Sequence, residues 1–373
     1  MVSTFTSYQL ITRDIERSLT RVENKPLVAR ETEYYANNIA KVTSIDEFVS
    51  DTRLFNYAMK AHGLSDMAYA KAFMVKVLEG GAKDPDSFAN KLTDKRYLEF
   101  AKSYNFAAHG SQATVYSDAQ QGTVTRYQLQ ATLAGVAFDN PILKAQNEDY
   151  LARIKDVTSI DQFLADDALF SYAMKAYGLT DRLDDKDFMR KILAGGVTDP
   201  DSLANRQSNP AYAEFATAFD FAAHGEKATV FTAAQHGAVA NYARQTLEEE
   251  AGSQNEGVRL ALYFQRKAGS LNNPYQILAD QALATVVRTA LGIPASSATA
   301  DIDRQAAMLS ERMDFADLKE PEALGKFLAR FTSMWELNNG QSAASSPASV
   351  LFGQPLEFGI STDVLLTLQR LRG

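Results

Sequence analysis

The chain has 373 residues, 46% hydrophobic and 23% charged, with a net charge of −8 and a pI near 5.2; that balance argues against a nucleic-acid partner. The absence of cysteine excludes disulfides, thiolate catalysis and Cys-ligated metal or iron–sulfur centres. No run of about 18 apolar residues offers a membrane span, and the opening Met1-Val2-Ser3-Thr4-Phe5-Thr6-Ser7 has neither the basic nor the apolar region of a cleaved signal peptide.

In chain order, residues 1–7 are polar and read as a disordered leader. Ile11, Ile15, Leu19 and Val22 then follow at helical steps, an amphipathic stripe with Arg13, Asp14, Glu16 and Arg17 off it. Pro26 restarts the chain into a helix whose apolar face is Tyr34, Tyr35 and Ile39, and Pro141, Tyr150 and Ile154 take the corresponding places 115 residues on. From Val42-Thr43-Ser44-Ile45 to His109-Gly110 the chain is repeated without a gap by Val157-Thr158-Ser159-Ile160 to His224-Gly225. Ser44 with Glu47, Ser159 with Gln162 and Asn273 with Gln276 predict capped helix starts, and Gly63-Leu64, Gly178-Leu179 and Gly292-Ile293 predict left-handed glycine stops. Gly80-Gly81 and Gly195-Gly196 end the next helix, after which Asp84-Pro85 and Asp199-Pro200 read as cap and first helical position. Tyr97, Phe100, Tyr104 and Phe106, matched by Tyr212, Phe215, Phe219 and Phe221, predict an aromatic-rich helix ending at His-Gly. Residues 113–116 and 228–231 read as connectors, and 118–134 and 233–249 as helix.

These marks give an all-α chain of three tandem related multi-helix units of about 115 residues each, packed as an elongated or curved helical repeat. The boundaries are a leader at 1–7, repeat 1 at 8–122, repeat 2 at 123–237, a divergent repeat 3 at 238–340, a flexible linker at 341–361 and an amphipathic C-terminal helix at 362–373. Pro294–Ala300 reads as a plain loop.

The composition offers little chemistry. Of four histidines only His109 and His224 recur, and each fits a helix C-terminus, where an imidazole meets unpaired carbonyls. His62 becomes Tyr177 and Leu291 in the other copies, and His236 has no counterpart. The acidic run from Asp181 to Asp187 lacks the ligand spacing of a calcium loop and reads as a solvated helix entry. No phosphate-binding loop, nucleophile elbow or zinc-hydrolase motif is present. No catalytic, cofactor-binding or metal-binding residue is therefore assigned, and no cofactor is expected.

The unit at 43–64, its copy at 158–179, the Gly-Gly and Asp-Pro-Asp-Ser turns, and the run Leu260–Leu337 resemble the bacterial family known as domain of unknown function 1217, over roughly residues 8–340. The resemblance implies an alphaproteobacterial origin and a gene often found near flagellar genes, and it brings no catalytic motif. The expectation is a non-enzymatic structural or assembly protein associated with the flagellum, acting through protein–protein contacts. Its partners would be flagellar components or further copies of itself, and its location the cytoplasm or, by type III export without a cleaved signal, the flagellum. The alternatives are a cell-wall glycan hydrolase near the flagellar rod and a cytosolic export chaperone or adaptor.

Overall fold

A computed structural model describes residues 3–339, and every regular element among them is helical. Two helices, α1 (Thr4–Thr12) and α2 (Ile15–Glu23), precede the first unit, which comprises α3 (Pro26–Ile39), α4 (Ile45–Ser50), α5 (Thr52–Ala61), α6 (Lys71–Gly80), α7 (Phe88–Lys91), α8 (Arg96–Ser103) and α9 (Phe106–His109). A π-turn (Asp118–Gly122) leads into α10 (Thr123–Leu133). The second unit is α11 (Pro141–Ile154), α12 (Ile160–Ala165), α13 (Asp167–Ala176), α14 (Lys186–Gly195), α15 (Ala211–Ala218) and α16 (Phe221–His224). A second π-turn (Ala233–Gly237) opens α17 (Ala238–Gln254), and α18 (Glu256–Ala268), α19 (Pro274–Leu278), α20 (Gln281–Leu291), α21 (Ile302–Ser310) and α22 (Pro321–Asn339) form the third unit.

Local chemistry sets these boundaries. Asp51, Asp166 and Asp280 each accept two backbone N–H groups at the starts of α5, α13 and α20. Gly63, Gly178 and Gly292, at φ 67°, 67° and 65°, turn the chain left-handed, so that Leu64, Leu179 and Ile293 donate back to Met59, Met174 and Arg288 and bury their side chains. A full capping box forms only at Asn273 and Gln276; Glu47 and Gln162 instead accept from the Thr43 and Thr158 backbones, one residue before the cap.

Several expectations change. The disordered leader fails over its described part: Ser3 caps α1, and Thr4, fully buried, donates its N–H and hydroxyl to Glu336 and accepts from Asn255 Nδ2 at 2.9 Å. Short polar side chains need distant partners to be ordered, and here α18 and α22 provide them. The Ile11–Val22 stripe breaks at Asp14, which caps α2. The aromatic helix breaks at Asn105 and Asp220, which cap α9 and α16. Asp84 and Asp199 close turns by accepting from Asp86 and Asp201 at 2.8 Å, while Ser87 is the cap of α7. The loop after Pro294 contains a 3₁₀ turn, Ala295–Thr299. The linker at 341–361 and the C-terminal helix at 362–373 lie outside the described residues.

The units follow one another in sequence, yet the first two do not close on themselves. α10, which follows the first unit, packs on α13 of the second, and α17, which follows the second, packs on α5 of the first. The contacts are reciprocal position by position. Tyr242 stacks on Tyr57 at 3.8 Å and Tyr127 on Tyr172 at 3.9 Å, each extending a stack begun by Tyr35 or Tyr150. The Tyr35 hydroxyl donates to Ala234 O at 2.6 Å, and that of Tyr150 to Ala119 O at 2.7 Å. Gln235 Nε2 donates to Thr114 O at 2.8 Å, and Gln120 Nε2 to Thr229 O at 2.9 Å. Both connectors are stapled by buried threonines, Thr114 and Thr229, donating to Val42 O and Val157 O. One core therefore joins residues 22–113 to Ala234, Ala238, Tyr242 and Leu247, and another joins Ala119, Val124 and Tyr127 to residues 150–228. The sequence boundaries at 122/123 and 237/238 fall inside the exchanged segments.

In the third unit α22 takes this place, packing on both α18 and α20, and α1 closes over it with Tyr8 and Ile11 in the same core.

Candidate functional site

The repeats share a groove between the helix that opens each unit and the helix after the Asp cap. In the first unit Glu31, Arg53, Lys60 and Tyr242 line it; in the second, Gln146, Lys175 and Tyr127 do. In the third, the corresponding wall of α18 and α20 is roofed by the first unit, and a cavity of about 610 Å³ results. His62 and Gly63 at the end of α5, Asp94 just before α8 and Arg96 at its start form the roof; Glu256, Arg259, Tyr263, Arg266 and Lys267 on α18, Asp280 and Thr285 at α20, and Trp335 on α22 form the floor, with Gln245 of α17 between them.

Charge at this junction is arranged in pairs. Arg96 forks onto Asp94, with Nη2 2.7 Å from Oδ2, and its Nη1 donates to Gly63 O. Burial opposes ionisation of Asp94, but the Arg96 hydrogen bonds and charge outweigh it and hold the carboxyl below its usual range. Arg259 grips Glu256, and the Tyr263 hydroxyl donates to Asp280 at 2.5 Å. Behind the floor Arg266 makes a bidentate pair with the fully buried Glu248, at 2.7 and 2.8 Å. Each carboxylate lining the cavity thus already has a hydrogen-bonded partner.

Two groups stand apart. The Lys267 ammonium has no hydrogen bond or ion pair among the described residues, and burial, then the neighbouring Arg266, lowers its pKa. His62 is half-buried, and its Nε2 is sealed from solvent without a partner. Burial and then Lys267 and Arg266 push its pKa down to about 3, so the imidazole is neutral.

A second feature is the hairpin from α10 to α11. Leu129, Leu133, Val136, Phe138 and Ile142 are exposed there, Leu133 by 74%, around a turn in which Gly135 is left-handed and Val136 donates to Ala131 O. At the same repeat positions the α17–α18 junction has Arg244, Glu248, Ala251, Ser253 and Gly257. There Glu248 is 1% exposed, Ala251 shares a core with Tyr8, and Gly257 lies so close to Trp335 that a Cβ would sit 2.3 Å from its ring.

The residues weighed in the sequence are accounted for. His109 and His224 end α9 and α16 and stack on Tyr116 and Phe231 at 3.5 Å, and burial lowers their pKa values. His236 Nδ1 accepts from the Thr232 backbone at 3.3 Å. In the acidic run Asp185 caps α14 and pairs with Arg182. No group of three or more His, Asp or Glu positioned to hold a metal ion occurs among the described residues, and no helix among them is long and apolar enough to cross a membrane. Sequence reasoning missed Asp94, Arg96 and Lys267; the available signal was that Asn209 and Ala211 replace the first two in the second unit.

Comparison with known proteins agrees with this architecture. A search of curated proteins gives no match. A crystal structure of an Agrobacterium tumefaciens protein from the Northeast Structural Genomics Consortium is similar at 37% identity, with a TM-score of 0.55, covering 91% of this chain and 97% of that one. The family model described as protein of unknown function DUF1217 matches residues 61–183 and again 176–324, so the chain belongs to the DUF1217 family.

Proposed function

We propose that this chain is a non-enzymatic structural or assembly protein working through protein–protein contacts, with the hairpin at 129–142 as the docking surface for a second copy of the chain. The observation that carries the reading is a contrast between repeat copies: five apolar side chains lie open on the second unit, whereas in the third Glu248, Ala251 and Gly257, at three of the five equivalent positions, are buried. A surface whose equivalent in the third unit meets helices within the chain is suited to meeting helices of another copy. The flagellar association implied by the family resemblance gives this assembly role its setting.

A second reading, a cytosolic export chaperone or adaptor, is favoured by the packing of α1 into the third unit, which engages residues an export signal would occupy. Deleting the gene in its own host is expected to impair swimming and flagellar morphology; normal motility would remove the flagellar setting. Wild-type protein is expected to sediment as a dimer or larger, and a Leu133→Asp, Phe138→Asp double variant as a monomer with unchanged helicity. A monomeric wild-type chain at tens of micromolar would contradict the docking surface. Recovery in the flagellar fraction supports the first reading, and strict cytosolic retention the second.

A further inference from the structure

The junction cavity pairs most of its charges and leaves one ammonium without a carboxylate of its own. Of its charged groups, Arg96, Arg259, Arg266 and Lys267 face Asp94, Glu256 and Asp280, and Arg266 is held from behind by Glu248. Arg96 and Arg259 each have their own carboxylate, whereas Lys267 has none; Glu99 and Asp280 act on it only at a distance. Lys267 is half-buried on the cavity wall, and an ammonium held there without a carboxylate of its own favours an anion beside it. The volume of the cavity suits a small organic molecule.

The feature is also local to this junction. The second unit has Tyr177, Asn209 and Ala211 where the first has His62, Asp94 and Arg96, and its groove measures about 230 Å³. Packing of a generic repeat does not require these charged residues.

We propose that the cavity between the first and third units binds a small oxyanion, the carboxylate or phosphate group of a metabolite, with Lys267 supplying the positive charge and the Nη1 of Arg266 a hydrogen bond. Tyr263, Leu260 and Trp335 offer apolar surface for the remainder of such a molecule. Because the roof belongs to one unit and the floor to another, occupancy would also tie the first unit to the third.

Trp335 is the single tryptophan of the chain and lines the cavity, so its fluorescence reports occupancy without a label. The full-length protein is titrated with inorganic phosphate in one arm and with malonate in the other, at constant ionic strength. A saturable change is expected in at least one arm, the stronger arm identifying the source of the oxyanion. Lys267→Met is expected to weaken that binding by about tenfold or more, the loss typical of a charge-assisted contact. Its melting temperature should be nearly unchanged, because Lys267 is half-buried and its ammonium makes no hydrogen bond or ion pair among the described residues. No saturable change in either arm, or equal affinity in the Lys267→Met protein, would overturn the proposal.

Discussion

The helices α10 and α17 are the same element written twice, and they agree over one half and part company over the other. In their first halves Tyr127 and Tyr242 complete equivalent tyrosine stacks, and the π-turns before them place Gln120 and Gln235 on equivalent carbonyls. In their second halves Leu133 stands in solvent, while Glu248 at the same repeat position is buried between Arg244 and Arg266. Shared contacts within the exchanged pair fix the first half, and the neighbour each helix happens to have decides the second. The same repeat can therefore build a closed junction at one end and leave an open face at the other.

The comparison can be broken most severely at Glu248. Glu248→Ala leaves Arg266 and Arg244 buried without their carboxylate, and a loss of about 3–5 kcal/mol is expected in denaturant unfolding. A change under about 1 kcal/mol would mean that water compensates these cations. The shared half is next. Tyr242→Ala removes the outer ring of a buried stack and is expected to cost about 2–4 kcal/mol. Tyr127→Ala should cost less, because Tyr127 is only partly buried and its hydroxyl faces Gln146 near the surface. Gln120→Ala and Gln235→Ala each remove one hydrogen bond to a connector carbonyl, and the two are expected to lose nearly equal amounts, about 1 kcal/mol; a clear inequality would show that the exchange is not symmetric in energy.

The smallest effect is expected where α1 closes on the third unit. Hydrogen bonds from the Thr4 side chain and backbone hold the Glu336 carboxyl below its usual range. A carboxylate depressed in the folded state contributes stability above its unfolded pKa of about 4.3, and that contribution fades as pH falls through the folded value. Melting curves should therefore show a small advantage of wild type over Glu336→Gln at neutral pH, shrinking below about pH 4. An advantage that grows on acidification would contradict the contact.

Much of the scaffold was legible because its signals are local. The Asp caps at 51, 166 and 280 and the stop glycines at 63, 178 and 292 act within a few residues, and the 115-residue offset made them readable in copies. The exchange was not legible. Tyr127 and Tyr242 are equivalent in the sequence whether each stacks within its own unit or on the other, so the repeat pattern is identical for both outcomes. Thr4 was misread because its partners lie 251 and 332 residues away, and no local pattern announces them. His109 and His224 were placed correctly at helix ends, but their role is set by Tyr116 and Phe231 arriving over the ring. The cavity was legible only as a difference between copies: His62 drew notice, whereas Asp94 and Arg96 look like ordinary surface residues until the third unit approaches them.

The exchange of α10 and α17 is what makes the first two units one body, and hydrogen exchange in the Tyr242→Ala protein tests it directly. Tyr242 follows the second unit in sequence but stacks on Tyr57 of the first. Amides of α5, Thr52–Ala61, are expected to lose protection while those of α13, Asp167–Ala176, keep theirs. Loss of protection in α13 with α5 unchanged would contradict the exchange and restore a simple row of self-closed repeats.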